Sequence, residues 1–284
     1  MKLAELKSLY EKELKGVYTD AEIDLIFYWI SEKITGKPRS ILKLALEEEW
    51  HEFEDKKNLF IFHLLDLKRG KPIQYVLGET EFFGLRFFVN PGVLIPRPET
   101  EELVEWILNE QPAPTDRIVD LGTGSGCIAV SLKNKLPQNE IWALDVSEKA
   151  LETARINAAY HSCEINFLND DFLKMDFDRL PKFDIIVSNP PYIAISEKQQ
   201  LDPVVVNNEP ATALFVDDTD PLIFYRKIVD FGLKNLNPGG RIYVEINQNL
   251  AEETFAIFNE AFDETELKKD ISGNFRMIRA KKLH

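Results

Sequence analysis

Apolar residues at the start of the chain recur at helical spacing. Leu3, Leu6, Leu9, Tyr10 and Leu14 fall on one face of a helix with 3.6 residues per turn. Thr19-Asp20-Ala21-Glu22 has the pattern of a capping box, immediately ahead of the apolar run Ile23 to Ile30. Gly36 and Pro38 close that helix, and Ser40 is placed to cap the next, which continues through Leu46 to Trp50. Another helical stretch runs from Asn58 to Arg69 and stops at Gly70-Lys71-Pro72. Residues 1–72 therefore read as a small all-helical domain. His51 and His63 stand singly in it, without partners at ligand spacing, so its expected job is recognition of a substrate and not chemistry.

The period changes at residue 73. The run Glu81 to Val89 is aromatic and β-prone with Gly84 as a candidate turn, which predicts a hairpin. Asn90-Pro91-Gly92 signals a turn, and Val93-Leu94-Ile95 reads as a short strand ended by Pro96, so residues 73–95 are expected to form a packed hairpin linker. From residue 96 to 284 strands and helices alternate. Apolar runs occur at Arg117–Leu121, Glu140–Leu144, Ile165–Leu168, Asp184–Ser188 and Arg241–Ile246. Helical stretches occupy Glu99–Asn109, Cys127–Lys135, Ser147–His161, Pro221–Leu236 and Leu250–Phe262. Such alternation means an α/β domain with a mostly parallel sheet and helices on both faces. Thr265–Lys268 and Phe275–Ala280, joined by Ser272-Gly273-Asn274, are too close for a crossover and are expected to end the sheet as an antiparallel hairpin, giving seven strands.

Composition narrows the function. The chain of 284 residues carries a net charge of −14, from 34 basic and 48 acidic residues. Residues 1–75 hold 13 Lys/Arg and 14 Asp/Glu, so nearly all of the excess acid lies in the remainder. Phosphate backbones are repelled at long range by such a body, and no basic run exceeds Lys268-Lys269 or Lys281-Lys282. Cys127 and Cys163 have neither CxxC spacing nor neighbouring histidines, which speaks against a disulfide framework or structural zinc. The Glu-rich amphipathic N-terminus is not a secretory signal, and no apolar stretch approaches the roughly 20 residues of a membrane span. A cytoplasmic location, no metal and a monomeric state are expected.

The candidate chemistry follows the strands. Asp120-Leu121-Gly122-Thr123-Gly124-Ser125-Gly126-Cys127 is a glycine-rich turn between a strand and a helix, through which backbone N–H groups can approach a ligand. Its GxGxG spacing is not the GxGxxG of dinucleotide enzymes, and no Gly-Lys-Ser/Thr follows as in a P-loop. Asp145 ends the next strand, where a carboxylate can take both hydroxyls of a ribose; it could instead cap the following helix, a role open to Ser147 too. Asp171 and Phe172, in the turn after the third strand, lie where an adenine ring would be read. The fourth strand ends in Asn189-Pro190-Pro191-Tyr192. Two prolines there fix the backbone and remove two donors. The side-chain oxygen of Asn189 and the carbonyl of Pro190 can each accept one proton of a planar NH2 group, against which the Tyr192 ring can pack.

Together these segments resemble a class I S-adenosylmethionine-dependent methyltransferase acting on a planar nitrogen. Ile95-Pro96-Arg97-Pro98-Glu99-Thr100-Glu101, Asp120 to Gly126, Val187-Ser188-Asn189-Pro190-Pro191-Tyr192-Ile193 and Asn208-Glu209-Pro210-Ala211-Thr212-Ala213-Leu214 are similar to segments of the release-factor glutamine methyltransferase family. Asp171 stands where some relatives carry Trp. The resemblance implies a Rossmann-like methyltransferase domain at residues 96–284 and S-adenosyl-L-methionine as cofactor. It implies N5-methylation of the glutamine in the Gly-Gly-Gln motif of peptide-chain release factors. Cofactor contacts would come from Gly122, Thr123, Gly124, Ser125, Gly126, Asp145, Asp171, Phe172 and Asn189. Substrate contacts would come from Asn189, Pro190, Pro191 and Tyr192, with Asn189, Pro190 and Tyr192 at the reacting centre. An N6-adenine or other exocyclic-amine nucleic-acid methyltransferase is the alternative enzyme, though it would need a basic groove. A non-catalytic nucleotide-binding module would have no use for Asn189-Pro190-Pro191-Tyr192.

Overall fold

A computed structural model describes residues 2–49 and 55–284, so His51 and Trp50 lie outside the described residues. The chain divides into two compact units, residues 1–79 with 203–208 and residues 80–202 with 209–284.

The first unit is helical. α1 (Leu3–Leu14) buries Leu3, Leu6, Tyr10 and Leu14, the face its apolar spacing marks out. α2 (Asp20–Thr35) starts at a capping box: Glu22 N–H donates to Thr19 Oγ1, and the Glu22 carboxylate accepts from Thr19 N–H at 2.7 Å. It ends at Gly36, whose left-handed φ of 70° lets its N–H close on the Glu32 carbonyl. α3 (Arg39–Leu44) departs from the expected start. Pro38 occupies the N-cap, so Ser40 lies inside the helix and caps nothing, and α3 stops at Leu44. The Glu32 carboxylate from the end of α2 takes the Arg39 N–H at 2.6 Å in its place. α4 (Lys57–Lys68) is followed by α5 (Ile73–Leu77), a helical turn within the stretch expected from sequence to be part of the hairpin linker. Pro72 opens α5 and Gly78, at φ 72°, closes it. Val76 of α5 joins Tyr10, Phe27, Phe60 and Leu64 in the core of this unit. Residues Pro203–Asn208 also belong here: Asn208 Nδ2 donates to the Gly70 carbonyl at 2.8 Å. His63 on α4 is half-buried, and that burial lowers its pKa.

The second unit begins with the expected hairpin, β1 (Glu79–Phe82) and β2 (Leu85–Phe88). Its two turn residues, Phe83 and Gly84, both have positive φ, the geometry that matches the twist of two tightly joined strands. Phe82 and Phe87 pack edge to face at 6.0 Å and share a buried cluster with Leu103, Trp106 and Ile107 of α6 (Pro98–Asn109). Val93-Leu94-Ile95 does not form the expected strand. The Val93 N–H turns back to the Asn90 carbonyl, and the Ile95 N–H donates to a buried carboxylate, Glu209, at 3.1 Å.

Thereafter come β3 (Arg117–Leu121), α7 (Cys127–Lys135), β4 (Glu140–Asp145), α8 (Glu148–Tyr160), β5 (Asn166–Asn169) and β6 (Phe183–Ser188). A short parallel pair, β7 (Ile193–Ala194) and β8 (Phe215–Val216), is separated by α9 (Pro203–Asn208) and α10 (Ala211–Leu214). The chain then runs through α11 (Ile223–Asn235), β9 (Leu236–Glu245), α12 (Ala251–Ala261), β10 (Glu264–Lys269) and β11 (Phe275–Lys281). Seven strands form one sheet in the order β10-β11-β9-β6-β3-β4-β5. β9, β6, β3, β4 and β5 are parallel, and β11 and β10 add the antiparallel edge. Period-two alternation sends Val119, Ile186, Ile242 and Val244 into a cluster with Phe231 of α11 and Phe258 of α12. Ile118, Ile185, Val187 and Tyr243 enter the opposite cluster, with α6 and α7. Among the described residues no helix is long and apolar enough to cross a membrane.

Candidate active site

Strand order reverses at β3, which has β4 on one side and β6 on the other. In an open parallel sheet the crevice at such a switch point, beyond the carboxyl ends of the strands, is where ligands bind. A cleft lies there. Gly122 and Gly124 after β3, Asp145 after β4, Asp171 and Phe172 after β5, and Asn189, Pro190 and Pro191 after β6 all line it. Val93, Leu94 and Pro210 close its mouth. The sheet thus brings to one place four segments that lie far apart in sequence.

Each wall has a local reason. Gly122 and Gly124 adopt φ of 76° and 56°, and a Cβ built on either meets nothing within 4 Å. A side chain there would both strain the backbone and project into free space. Gly126, at φ 81°, serves another purpose: a Cβ on it would lie 3.0 Å from Ala154 Cβ and 3.2 Å from Ala154 Cα, so it lets α8 press against the turn. Thr123 and Ser125 are buried and do not line the cleft. The Thr123 hydroxyl donates to Asp120 Oδ2 at 2.6 Å, and the Ser125 carbonyl accepts from Asn157 Nδ2. These three residues hold the shape of the loop that Gly122 and Gly124 expose. Burial pushes Asp120 up to about 7.

Asp145 faces the cleft with its carboxylate fixed from behind. Oδ2 accepts from Gly124 N–H at 2.8 Å and Oδ1 from Ser147 N–H at 2.9 Å, leaving each oxygen a further lone pair. Burial raises its pKa, and those backbone donors oppose the rise. Ser147 caps α8 by accepting from Ala150 N–H, so the capping role falls to it and not to Asp145. Asp171 pairs with Lys174 at 2.7 Å, which lowers its pKa, while Phe172 stacks on Phe177 at 5.7 Å with one edge in the cleft.

Asn189 has a defined orientation. Its Nδ2 donates to Thr100 Oγ1 at 3.0 Å, so Oδ1 is the free corner of the amide. Among the described residues none donates to that oxygen. Tyr192 does not line the cleft. Its hydroxyl donates to Glu245 Oε1 at 3.0 Å, and burial raises its pKa so that it stays protonated. Three further residues are essential to this geometry and do not stand out in the sequence: Thr100, Glu209 and Glu245. Glu209, with a side chain 1% exposed, accepts from Arg97 at 2.6 Å and from Ile95 N–H, fastening the two segments that close the mouth. Thr100 and Glu209 both lie within segments that carry the family resemblance. Glu245 leaves a subtler signal, one acid inside the apolar run Tyr243 to Ile246.

Comparisons with known proteins bear on family and fold. Residues 99–203, the stretch from α6 past Tyr192, match the family model described as "Methyltransferase small domain". A curated relative named "Release factor glutamine methyltransferase" from Flavobacterium psychrophilum is 44% identical, over 98% of this chain and 99% of its own length. The chain belongs to the release factor glutamine methyltransferase family. A member from Streptococcus pneumoniae is 37% identical over 98% of both chains, and one from Bacteroides thetaiotaomicron 44% identical over 75% of this chain and 77% of its own. Among solved structures, the hMettl16 catalytic domain in complex with MAT2A 3'UTR hairpin 1 superposes with a TM-score of 0.57 at 20% identity, covering 80% of this chain and 82% of that one. A methyltransferase from Pyrococcus furiosus gives 0.53 at 16% identity, over 81% and 99%. At those identities the likeness is one of fold, the class I methyltransferase sheet.

Proposed function

We infer that this member of the family transfers a methyl group from S-adenosyl-L-methionine to the N5 side-chain amide of the glutamine in the Gly-Gly-Gln motif of peptide-chain release factors. The observation that carries the reading is the Asn189 amide, which lines the cleft beside Pro190 and whose Oδ1 accepts from none of the described residues. The cofactor fits the residues present: a glycine cradle that a Cβ would fill, an acid with spare lone pairs after β4, and an aromatic edge after β5. Gly122 and Gly124 would admit its amino-acid part, Asp145 its ribose hydroxyls, and Asp171 and Phe172 its adenine, within a frame held by Thr123, Ser125 and Gly126. The acids Asp145 and Asp171 also suit a cationic ligand.

The cofactor supplies a methyl group already activated on a sulfonium sulfur, so the protein's task is alignment. A carboxamide nitrogen is a poor nucleophile because its lone pair is delocalised into the carbonyl. Asn189 Oδ1 and the Pro190 carbonyl each take one N–H of that amide. This grip aims the nitrogen and stabilises positive charge developing on it. Pro191 keeps the turn rigid, and Tyr192, which lies outside the cleft, braces the end of that turn through its bond to Glu245. The proton lost from nitrogen passes to water.

Incubation with labelled S-adenosyl-L-methionine and a whole release factor, followed by peptide mass spectrometry, tests the reading. Label on the Gly-Gly-Gln glutamine is expected; label only on added DNA or ribosomal RNA would overturn it. A separate expectation concerns Asp145. Asp145→Ala should weaken cofactor binding by about 1–3 kcal/mol, the scale of hydrogen bonds to a charged group. Unchanged cofactor affinity by calorimetry would remove Asp145 from the ribose role.

A further inference from the structure

Behind Asn189 runs a chain of hydrogen bonds whose direction is fixed when Glu245 carries its negative charge. Thr100, 2% exposed on the first turn of α6, donates its single hydroxyl proton to Glu245 Oε2 at 2.7 Å. Its oxygen must then act as acceptor toward Asn189, and the partner at 3.0 Å is therefore the NH2 end of the amide. The carboxylate accepts on its other oxygen from the Tyr192 hydroxyl at 3.0 Å, and the main-chain carbonyl of Glu245 accepts from the Tyr225 hydroxyl at 3.2 Å. Glu245 is 2% exposed, and burial raises its pKa; the hydrogen bonds from Thr100 and Tyr192, and after them the charge of Arg276 on the adjacent strand β11, oppose that rise. A buried carboxylate is costly, and a single neutral Thr–Asn contact would not require one.

We propose that Thr100 and Glu245 are positioning residues for methyl transfer: the relay Glu245–Thr100–Asn189 locks the Asn189 amide with Oδ1 toward the cleft and strengthens that oxygen as an acceptor. The inference rests on the amide-gripping reading of Asn189. Hydrogen bonds in a row polarise one another, so negative charge at Glu245 makes Thr100 Oγ1 a better acceptor. That in turn draws the Nδ2 protons and leaves Asn189 Oδ1 more electron-rich. The acceptor gains strength where the substrate N–H must be gripped, with the charge itself kept one hydroxyl and one amide away. The relay also explains why α6 opens at Pro98, with Thr100 in its first turn: the rigid start of the helix fixes the hydroxyl.

The test compares Thr100→Val, Thr100→Ser, Glu245→Gln, Asn189→Ala and the double variant Asn189→Ala/Thr100→Val. Each is measured for thermal midpoint, cofactor affinity, and kcat and KM on whole release factor. Thr100→Val keeps the shape and removes the relay; its kcat is expected to fall by about 10- to 100-fold, with KM and cofactor affinity within about threefold of wild type. Thr100→Ser, which keeps the hydroxyl, should stay within about threefold of wild type in kcat. Glu245→Gln keeps an acceptor for Thr100 but no charge, and should lose about 3- to 10-fold in kcat, which settles the matter even if Thr100→Val does not fold. The double variant should be no slower than Asn189→Ala alone, because Thr100 acts through Asn189. If Thr100→Val and Glu245→Gln stay near wild-type kcat while Asn189→Ala is crippled, the relay is wrong and the grip stands. The relay also falls if Thr100→Val slows the Asn189→Ala enzyme as much as it slows wild type. An Asn189→Ala enzyme of normal kcat would overturn the grip and the relay together.

Discussion

Asn189→Ala is expected to slow methylation of the release-factor glutamine by about two to three decades, or roughly 2.7–4 kcal/mol, the cost of removing one preorganised hydrogen-bonding group from a reacting centre. The protein should still fold. Asn189 is partly exposed at the cleft, the turn is stiffened by Pro190 and Pro191, and the hydrogen bond that disappears is the one to Thr100, whose hydroxyl keeps Glu245. The substrate amide would retain the Pro190 carbonyl alone and could swing away from the methyl donor. Asn189→Asp is the more revealing variant. It keeps an acceptor in the cleft, but its second oxygen would face Thr100 Oγ1, whose one proton already serves Glu245. Two carboxylates would then compete for a single hydroxyl, and the new charge would seek the cationic cofactor. Cofactor affinity should therefore hold or rise while turnover falls at least as far as in Asn189→Ala. Single-turnover kinetics with cofactor affinity measured in parallel separate the two effects. An Asn189→Ala enzyme within a factor of three of wild type would mean that the amide is gripped by something else.

Much of this architecture is legible in the chain because local signals and tertiary demands coincide. The bounds of α7 match the sequence expectation to the residue, since Gly126 opens the helix and the β3 run leads directly into it. The terminal hairpin of β10 and β11 follows from a connection too short for any crossover. Where expectation and structure part, a contact distant in sequence decides the backbone. Val93-Leu94-Ile95 has every local mark of a strand, yet the Ile95 N–H is claimed by Glu209, 114 residues away. β9 begins at Leu236, before the expected Arg241, because Leu236 pairs with Phe183 across a bulge that absorbs Pro238, Gly239 and Gly240. The site shows the same division. Residues that meet the cleft from strand ends, Gly122, Gly124, Asp145 and Asn189, are legible through residue type and position. Thr100 holds Asn189 from behind, Glu245 holds Thr100, and Glu209 fastens Ile95 and Arg97; a buried Thr–Glu contact between α6 and β9 has no signature in linear spacing.

Removing residues 1–78 is expected to leave cofactor affinity within about threefold of the full chain while lowering methylation of whole release factor by about two decades or more, because binding energy remote from the reacting atoms is what commits a large substrate. The cut falls after Gly78 because α5 belongs with the helices: Val76 lies in their core, with Ile73 and Leu77 packed against it. The remaining unit keeps its complete seven-stranded sheet and both flanking apolar clusters, so it has what a domain needs to fold. It also keeps every residue lining the cleft. The helical unit, by contrast, has a core without catalytic chemistry and a surface that is unusually apolar. Trp29 on α2 and Leu59, Phe62 and Leu65 on α4 are 43%, 47%, 57% and 45% exposed. Large apolar side chains left in water on a unit of nearly neutral charge suit contact with another protein. A short Gly-Gly-Gln peptide provides the control, since it cannot span a docking surface. Both forms of the enzyme should methylate it slowly and at similar kcat/KM. Full activity of the truncated enzyme on the folded release factor would deny the helical unit its part in recognition; equal losses on peptide and whole protein would show that the cut had damaged the catalytic unit itself.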